Sequence, residues 1–238
     1  MPNWVTQRIY FHPQDKDKLQ ALTGLDFDFQ DIIPMPDSIR YTQAPSDLEV
    51  LAYASQDISI LRMIYPDIYA EVQREWETQD AKNRLEDELP SNKPFQDYCK
   101  KYQLPPTLET LGDQLFKNLI EYHHSNWYGW CNHHWETEWT ADQVHWTNHF
   151  VEFKTHLTPA SPIARILSKH VPLVLEWTGK QIQIDGGFFI FKGGECLYQE
   201  DYPAESLDLV EAYRRMNKDE NPDRNISEVT INDFLKHL

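Results

Sequence analysis

The first dozen residues alternate. Trp4, Arg8 and Tyr10 fall on one side of residues 3–11 and Val5, Ile9 and Phe11 on the other. That period of two, rich in β-branched and aromatic residues, predicts a strand, which Pro13 stops. Asp15–Leu22 has helical spacing and is closed by Gly24. Residues 25–33 alternate again, with Leu25, Phe27 and Phe29 set against acids, and predict a second strand ending at Pro34 and Pro36. From Pro36 to Asp142 the apolar spacing becomes helical. Ser46 with Glu49 forms a capping box, Pro66 can open a helix, and Lys93–Tyr102 forms another before Pro105 and Pro106. Thr107 then opens an amphipathic helix through Leu108, Leu111, Leu115, Leu119 and Tyr122. No flexible-linker composition brackets this block, so it reads as an insertion rather than an independent domain.

Strand character returns at Val144. Val144, Trp146 and Phe150 are out of phase with Val151, Phe153, Thr155 and Leu157, and a bulge near Asn148 accounts for the slip. Ser161 and Pro162 open a helix through Ile163, Ile166 and Leu167. Leu173, Leu175 and Trp177 alternate up to a predicted turn at Thr178–Gly179. A second arm through Ile182, Ile184, Phe189 and Phe191 is interrupted at Asp185–Gly186–Gly187 and ends at Lys192–Gly193–Gly194. Ser206–Met216 is a helix, 217–225 a polar loop, and Thr230 with Asp233 caps a last short helix. The expectation is an α+β chain of one domain, 1–238. Residues 1–34 and 143–203 frame the sheet, 35–142 are a helical insertion between strands 2 and 3, and 204–238 are a C-terminal helical tail. Two βαβ units with an extra strand predict a ferredoxin-like antiparallel sheet, with both framework helices on one face.

Charge narrows the function classes. The 238 residues carry 38 Asp and Glu against 22 Lys and Arg, a net charge of −16. Nucleic-acid affinity depends on clustered Lys and Arg that release counterions. Here they are scattered, as in Lys100–Lys101 and Arg214–Arg215, which disfavours nucleic acid as a partner. The charge serves solubility and suits a basic protein partner. Cys99, Cys131 and Cys196 form no CxxC pair, which fits a reducing compartment. The N-terminus has no signal-peptide pattern and no apolar run spans a bilayer, so the expected location is the cytoplasm and no membrane is expected.

Five of the eight Trp and seven of the ten His lie between residues 123 and 156. The tryptophans read first as packing residues. The histidines raise a metal: His133, His134, His145 and His149 are the candidate ligands, with Glu136, Glu138 and Cys131 nearby. A thiolate pair of Cys131 with His133 or His134 is a further candidate. No HExxH, GxGxxG or GxxxxGK[ST] pattern is present. No cofactor is therefore expected, and the balance leans away from an enzyme.

Residues 126–139 read NWYGWCNHHWETEW. With PNW at 2–4, IIPMP at 32–36 and FKTHLTPASP at 153–162, they resemble the YubB ferredoxin-like family of phages, plasmids and other mobile elements. Asn126, Trp127, Tyr128, Trp130, Trp135, Thr137 and Trp139 match its motif, as do Phe153, Thr155, Pro159 and, loosely, Pro162. Glu136 stands where the family prefers Gly, Glu138 where it prefers Lys, and Leu157 near an expected Trp. The resemblance implies the sheet, a mobile-element context, and a binding surface made by the residues from Asn126 to Trp139; it implies no reaction. The first expectation for function is a non-enzymatic binding or regulatory protein whose acidic surface engages a basic protein. The alternative is a metal-dependent enzyme using residues 123–156.

Overall fold

A computed structural model describes residues 4–42, 62, 66–67, 70, 83, 86–180, 184–202 and 206–216. The chain divides into two compact units, one of residues 1–34 with 131–238 and one of residues 35–130. The predicted capping box at Ser46 and the last helix at Thr230 lie outside the described residues.

The first unit is built on a six-stranded sheet. Its strands are β1 (Trp4–Tyr10), β2 (Asp142–Trp146), β3 (Phe150–His156), β4 (Leu173–Lys180), β5 (Ile184–Lys192) and β6 (Glu195–Asp201), in the order β2-β3-β1-β4-β5-β6. Every neighbouring pair is antiparallel. Mixed with helices, this makes an α+β architecture. Helices α1 (Lys16–Thr23) and α2 (Phe29–Ile32) follow β1. A further helix, Ser161–Leu167, joins β3 to β4, and Leu207–Met216 follows β6.

Side chains alternate across a sheet, and here both faces are covered. One face buries Val5, Gln7, Ile9, Val151, Phe153, Leu173 and Leu175. Phe27 packs tilted against Phe153 and Phe29 meets it edge-on, with ring centroids 4.9 and 6.0 Å away. The opposite face carries Thr6, Arg8, Glu176 and Thr178, all buried. Helix Leu207–Met216 lies on this side, and Thr178 Oγ1 reaches Met216 Sδ at 4.0 Å.

The predicted second strand, residues 25–33, is not a strand. Phe27 has φ 52, and Asp28 Oδ1 accepts from Gln30 N to start α2. The alternation is real but belongs to a turn. Leu25 stays 69% exposed while Phe27 and Phe29 both enter the core. The helical insertion therefore lies between β1 and β2. The expected bulge near Asn148 is a reversal of chain direction. Thr147 Oγ1 accepts from His149 N and Phe150 N, turning the chain between β2 and β3. The irregularity of register sits between Asp142 and His145 instead. Thr178 and Gly179 lie inside β4 rather than in a turn. Gly186 and Gly187 continue β5, where an added Cβ would meet Trp177 O at 2.7 Å and Glu200 O at 2.5 Å. The turn predicted at Lys192–Gly194 does form. Gly193 and Gly194 have φ 64 and 88, the left-handed pair that a two-residue hairpin demands.

The second unit is helical. It contains α3 (Asp37–Tyr41), α4 (Lys93–Tyr102) and α5 (Leu108–Tyr122). Helix α4 has the predicted bounds. Asn92 caps it by accepting from Phe95 N, and Pro94 sits in its first turn. Thr107 caps α5 by accepting from Thr110 N. Its apolar stripe of Leu108, Leu111, Leu115 and Leu119 is buried. Asn118, wholly buried, donates to Ser38 O, Thr42 Oγ1 and Ser125 O. Helix α6 (Trp127–His134) follows α5 in the chain; α7 and α8 below denote Ser161–Leu167 and Leu207–Met216.

Candidate functional site

The motif from Asn126 to Trp139 is divided between the units. In the second unit, Asn126 Oδ1 accepts from Gly129 N at 3.0 Å and starts α6. Trp127 is half-buried, Tyr128 is 49% exposed, and their rings meet edge to face at 5.9 Å. Trp130 is buried.

In the first unit, Cys131 is buried, and burial pushes its thiol up to about 12. It stays protonated at neutral pH, so it does not supply the thiolate considered with His133 or His134. Those two imidazoles touch, with centroids 4.9 Å apart. Burial, and then the neighbouring His133, hold His134 below the ordinary imidazole value. The other two candidate metal ligands stand elsewhere. His145 is exposed on β2, and His149 lies in the turn after it. Neither belongs to a group of three or more potential ligands among the described residues.

Trp135 is buried against Phe29, and its Nε1 donates to Ile33 O at 3.1 Å. The chain then turns at Glu136, whose φ is 59. Glu136 O accepts from Thr158 Oγ1, and its Oε2 accepts from Ser161 Oγ at 2.6 Å. Thr137, wholly buried, donates from Oγ1 to His156 O and accepts from His156 N. Glu138 bonds His156 Nδ1, and the imidazole meets Trp4 edge-on at 6.1 Å. Trp139 is 50% exposed. One layer below, wholly buried Gln7 donates to Thr155 Oγ1 and accepts from Ala160 N at 2.9 Å. A carboxylate–imidazole pair can orient a general base, but the hydroxyls here bind elsewhere. Ser161 serves Glu136, and Thr137 serves the main chain of β3. These contacts join the Trp135–Trp139 loop to the end of β3. Of the residues expected to form a binding surface, Tyr128 in the second unit and Trp139 in the first are exposed, Asn126 and Trp127 are half-buried, and Trp130, Trp135 and Thr137 are buried.

A second constellation was passed over in the sequence. Arg8 stands opposite both Glu152 and Glu176 across three adjacent strands. Arg8 Nη2 lies 2.6 Å from Glu152 Oε2, and the guanidinium rests 4.6 Å over the Phe150 ring. Burial pulls the guanidinium value down, but Tyr10 and Glu152 outweigh it and hold it above the ordinary range. Glu176, 1% exposed, accepts from Tyr10 OH at 2.8 Å and Tyr202 OH at 2.7 Å. The signal was present: a charged residue, Arg8, Glu152 or Glu176, lies inside each of three strands rich in apolar residues. Only the register shows that the three stand side by side. Their hydrogen bonds satisfy the network, which suits it to holding strands together.

In the second unit, Arg40, Tyr41, Lys93, Pro94 and Asp97 line an open cleft of about 340 Å³. At the rim of the sheet, all seven residues of β6 are exposed.

No family model and no curated protein matches the chain. Among solved structures, the crystal structure of a protein api92 from Yersinia pseudotuberculosis, of the family DUF1281, superposes with a TM-score of 0.40 at 12% identity. The superposition covers 87% of this chain and 100% of that one. A likeness of that degree carries no argument about activity. Among the described residues no helix is long and apolar enough to cross a membrane.

Proposed function

We propose that this chain is a non-enzymatic binding or regulatory protein of the YubB-like, ferredoxin-like kind, acting in the cytoplasm on a basic protein partner. The observation that carries the reading is charge: 38 acidic against 22 basic side chains. An excess of that size raises the rate at which a cationic partner is found and disfavours phosphate backbones. The strand order β2-β3-β1-β4, with helices between β1 and β2 and between β3 and β4, supports the ferredoxin-like part of the reading. The hydroxyls and carboxylates around His156 are engaged in loop contacts, which supports the absence of catalysis.

The test is affinity capture from the native host at low ionic strength, followed by titration of the purified captured protein against the full chain in rising salt. The expected partner carries net positive charge and loses affinity as salt rises. Capture of nothing, or an affinity indifferent to salt, overturns the proposal.

A further inference from the structure

The two rims of the sheet differ. At one rim β2 is five residues long, its register breaks between Asp142 and His145, and Gln143 takes φ 53. Short, bulged strands are the usual protection against unwanted strand pairing. At the other rim β6 runs for seven residues, Glu195–Asp201, with every residue exposed, Leu197 at 53% and Tyr198 at 48%. Its single irregularity lies at the Cys196 end, and the pairing is regular from Tyr198 to Asp201. Among the described residues β5 is its one neighbour.

The register tells which backbone groups face outward. Tyr202 N donates to Gly186 O at 2.8 Å. Counting back along an antiparallel ladder, the backbone groups of Glu200 and Tyr198 also face β5, and those of Asp201 and Gln199 face away. The strand, ECLYQED, has no Lys, Arg or Pro, the residues that commonly blunt an edge, and all of its charges are acidic. Glu200 stands opposite Phe188 and Asp201 opposite Gly187, so their carboxylates project on opposite faces of the sheet.

We infer that the outer edge of β6 is a docking site for an extended, basic peptide segment, which joins the sheet as a further strand. Main-chain bonds to Gln199 and Asp201 hold the segment. Glu195, Glu200 and Asp201 select Lys or Arg on either of its faces. The same charges disfavour a second copy of this strand, because like charges on facing strands repel. This inference rests on the proposal of a basic partner and places that partner on the sheet.

The experiment is fluorescence anisotropy with the full chain and a labelled peptide of about ten residues alternating Lys and Val. Three comparisons accompany it. The first is the same peptide N-methylated at alternate residues, which keeps its charge but loses main-chain donors. The others are protein variants: Gln199→Pro, which removes an outward N–H, and the triple variant Glu195→Gln, Glu200→Gln and Asp201→Asn. Binding is expected to weaken roughly tenfold or more in each comparison. The methylated peptide gives a readout even where Gln199→Pro fails to fold. Salt-sensitive binding that ignores both methylation and the β6 substitutions overturns the edge site and leaves the acidic-surface proposal standing. No binding of the Lys–Val peptide, or equal binding of a Glu–Val peptide, also overturns the edge site; the fate of the broader proposal then follows from the capture experiment. Self-association of the chain that occupies β6 and excludes the peptide overturns it as well.

Discussion

Glu136 is a residue with a β-carbon held in a left-handed turn, and that conformation costs about 1–2 kcal/mol. The exposed bond from Ser161 returns part of this. Glu136→Gly is therefore expected to raise stability by about 0.5–1 kcal/mol, and Glu136→Val to lower it by about 1 kcal/mol, as read by urea denaturation. The cysteines make a second test at this scale. Cys196 is exposed, whereas Cys99 and Cys131 are buried. At pH 8 a thiol reagent should label Cys196 quickly and the other two only in denaturant. Burial raises Cys131 from an ordinary 9.0 to about 12. The folded chain thus keeps a proton that the unfolded chain gives up, so this group's contribution is intact below about 9 and falls as pH rises towards 12. Cys131→Ala should flatten that alkaline loss in thermal melts; an unchanged slope would show that Cys131 has no part in it.

Among elements, the strands around β1 are joined by charge as well as by backbone. Removing one partner of a buried ion pair costs about 3–5 kcal/mol, because the other is left uncompensated. Arg8→Met should approach that range, since Arg8 and Glu152 are both largely buried. Adding Glu152→Leu should recover part of the loss, and a double-mutant cycle in urea measures the coupling. Additive losses would show that the pair is not coupled. The element scale also shows where alternation misleads. Leu25, Phe27 and Phe29 carry a strand's period, yet the carboxylate of Asp28 takes Gln30 N and the hydroxyl of Thr140 takes Phe29 N, donors that a strand ladder would need. Phe29 N donates to Thr140 Oγ1, 111 residues away in the chain. A partner that distant leaves no local trace. By contrast, α4 and α5 were legible almost to the residue, because Asn92, Thr107 and the stripe of leucines are all local signals.

For the whole molecule, a net charge of −16 opposes compaction by self-repulsion. Raising ionic strength from about 0.01 to 0.15 M shortens the screening length from about 30 to 8 Å. The melting temperature should rise by about 2–4 °C for each ~1 kcal/mol of repulsion relieved. A melting temperature that stays flat or falls with salt would show that the charges are already compensated.

Read alone, the sequence determined whatever depends on neighbours a few positions apart: the Thr107 cap and amphipathic stripe of α5, the strand character of β1, β3 and β4, the Gly193–Gly194 turn and the acidic balance. It also marked Trp127–Trp139 as unusual. Tertiary structure alone decided that Trp130, Trp135 and Thr137 face inward while Tyr128 and Trp139 do not. It also decided that Arg8 pairs with Glu152 and stands opposite Glu176, and that β6 lies at a rim. The physical reason is the same in each case. Burial and charge pairing depend on which distant segments become adjacent, and a period of two says only that a residue has a face, not what covers it.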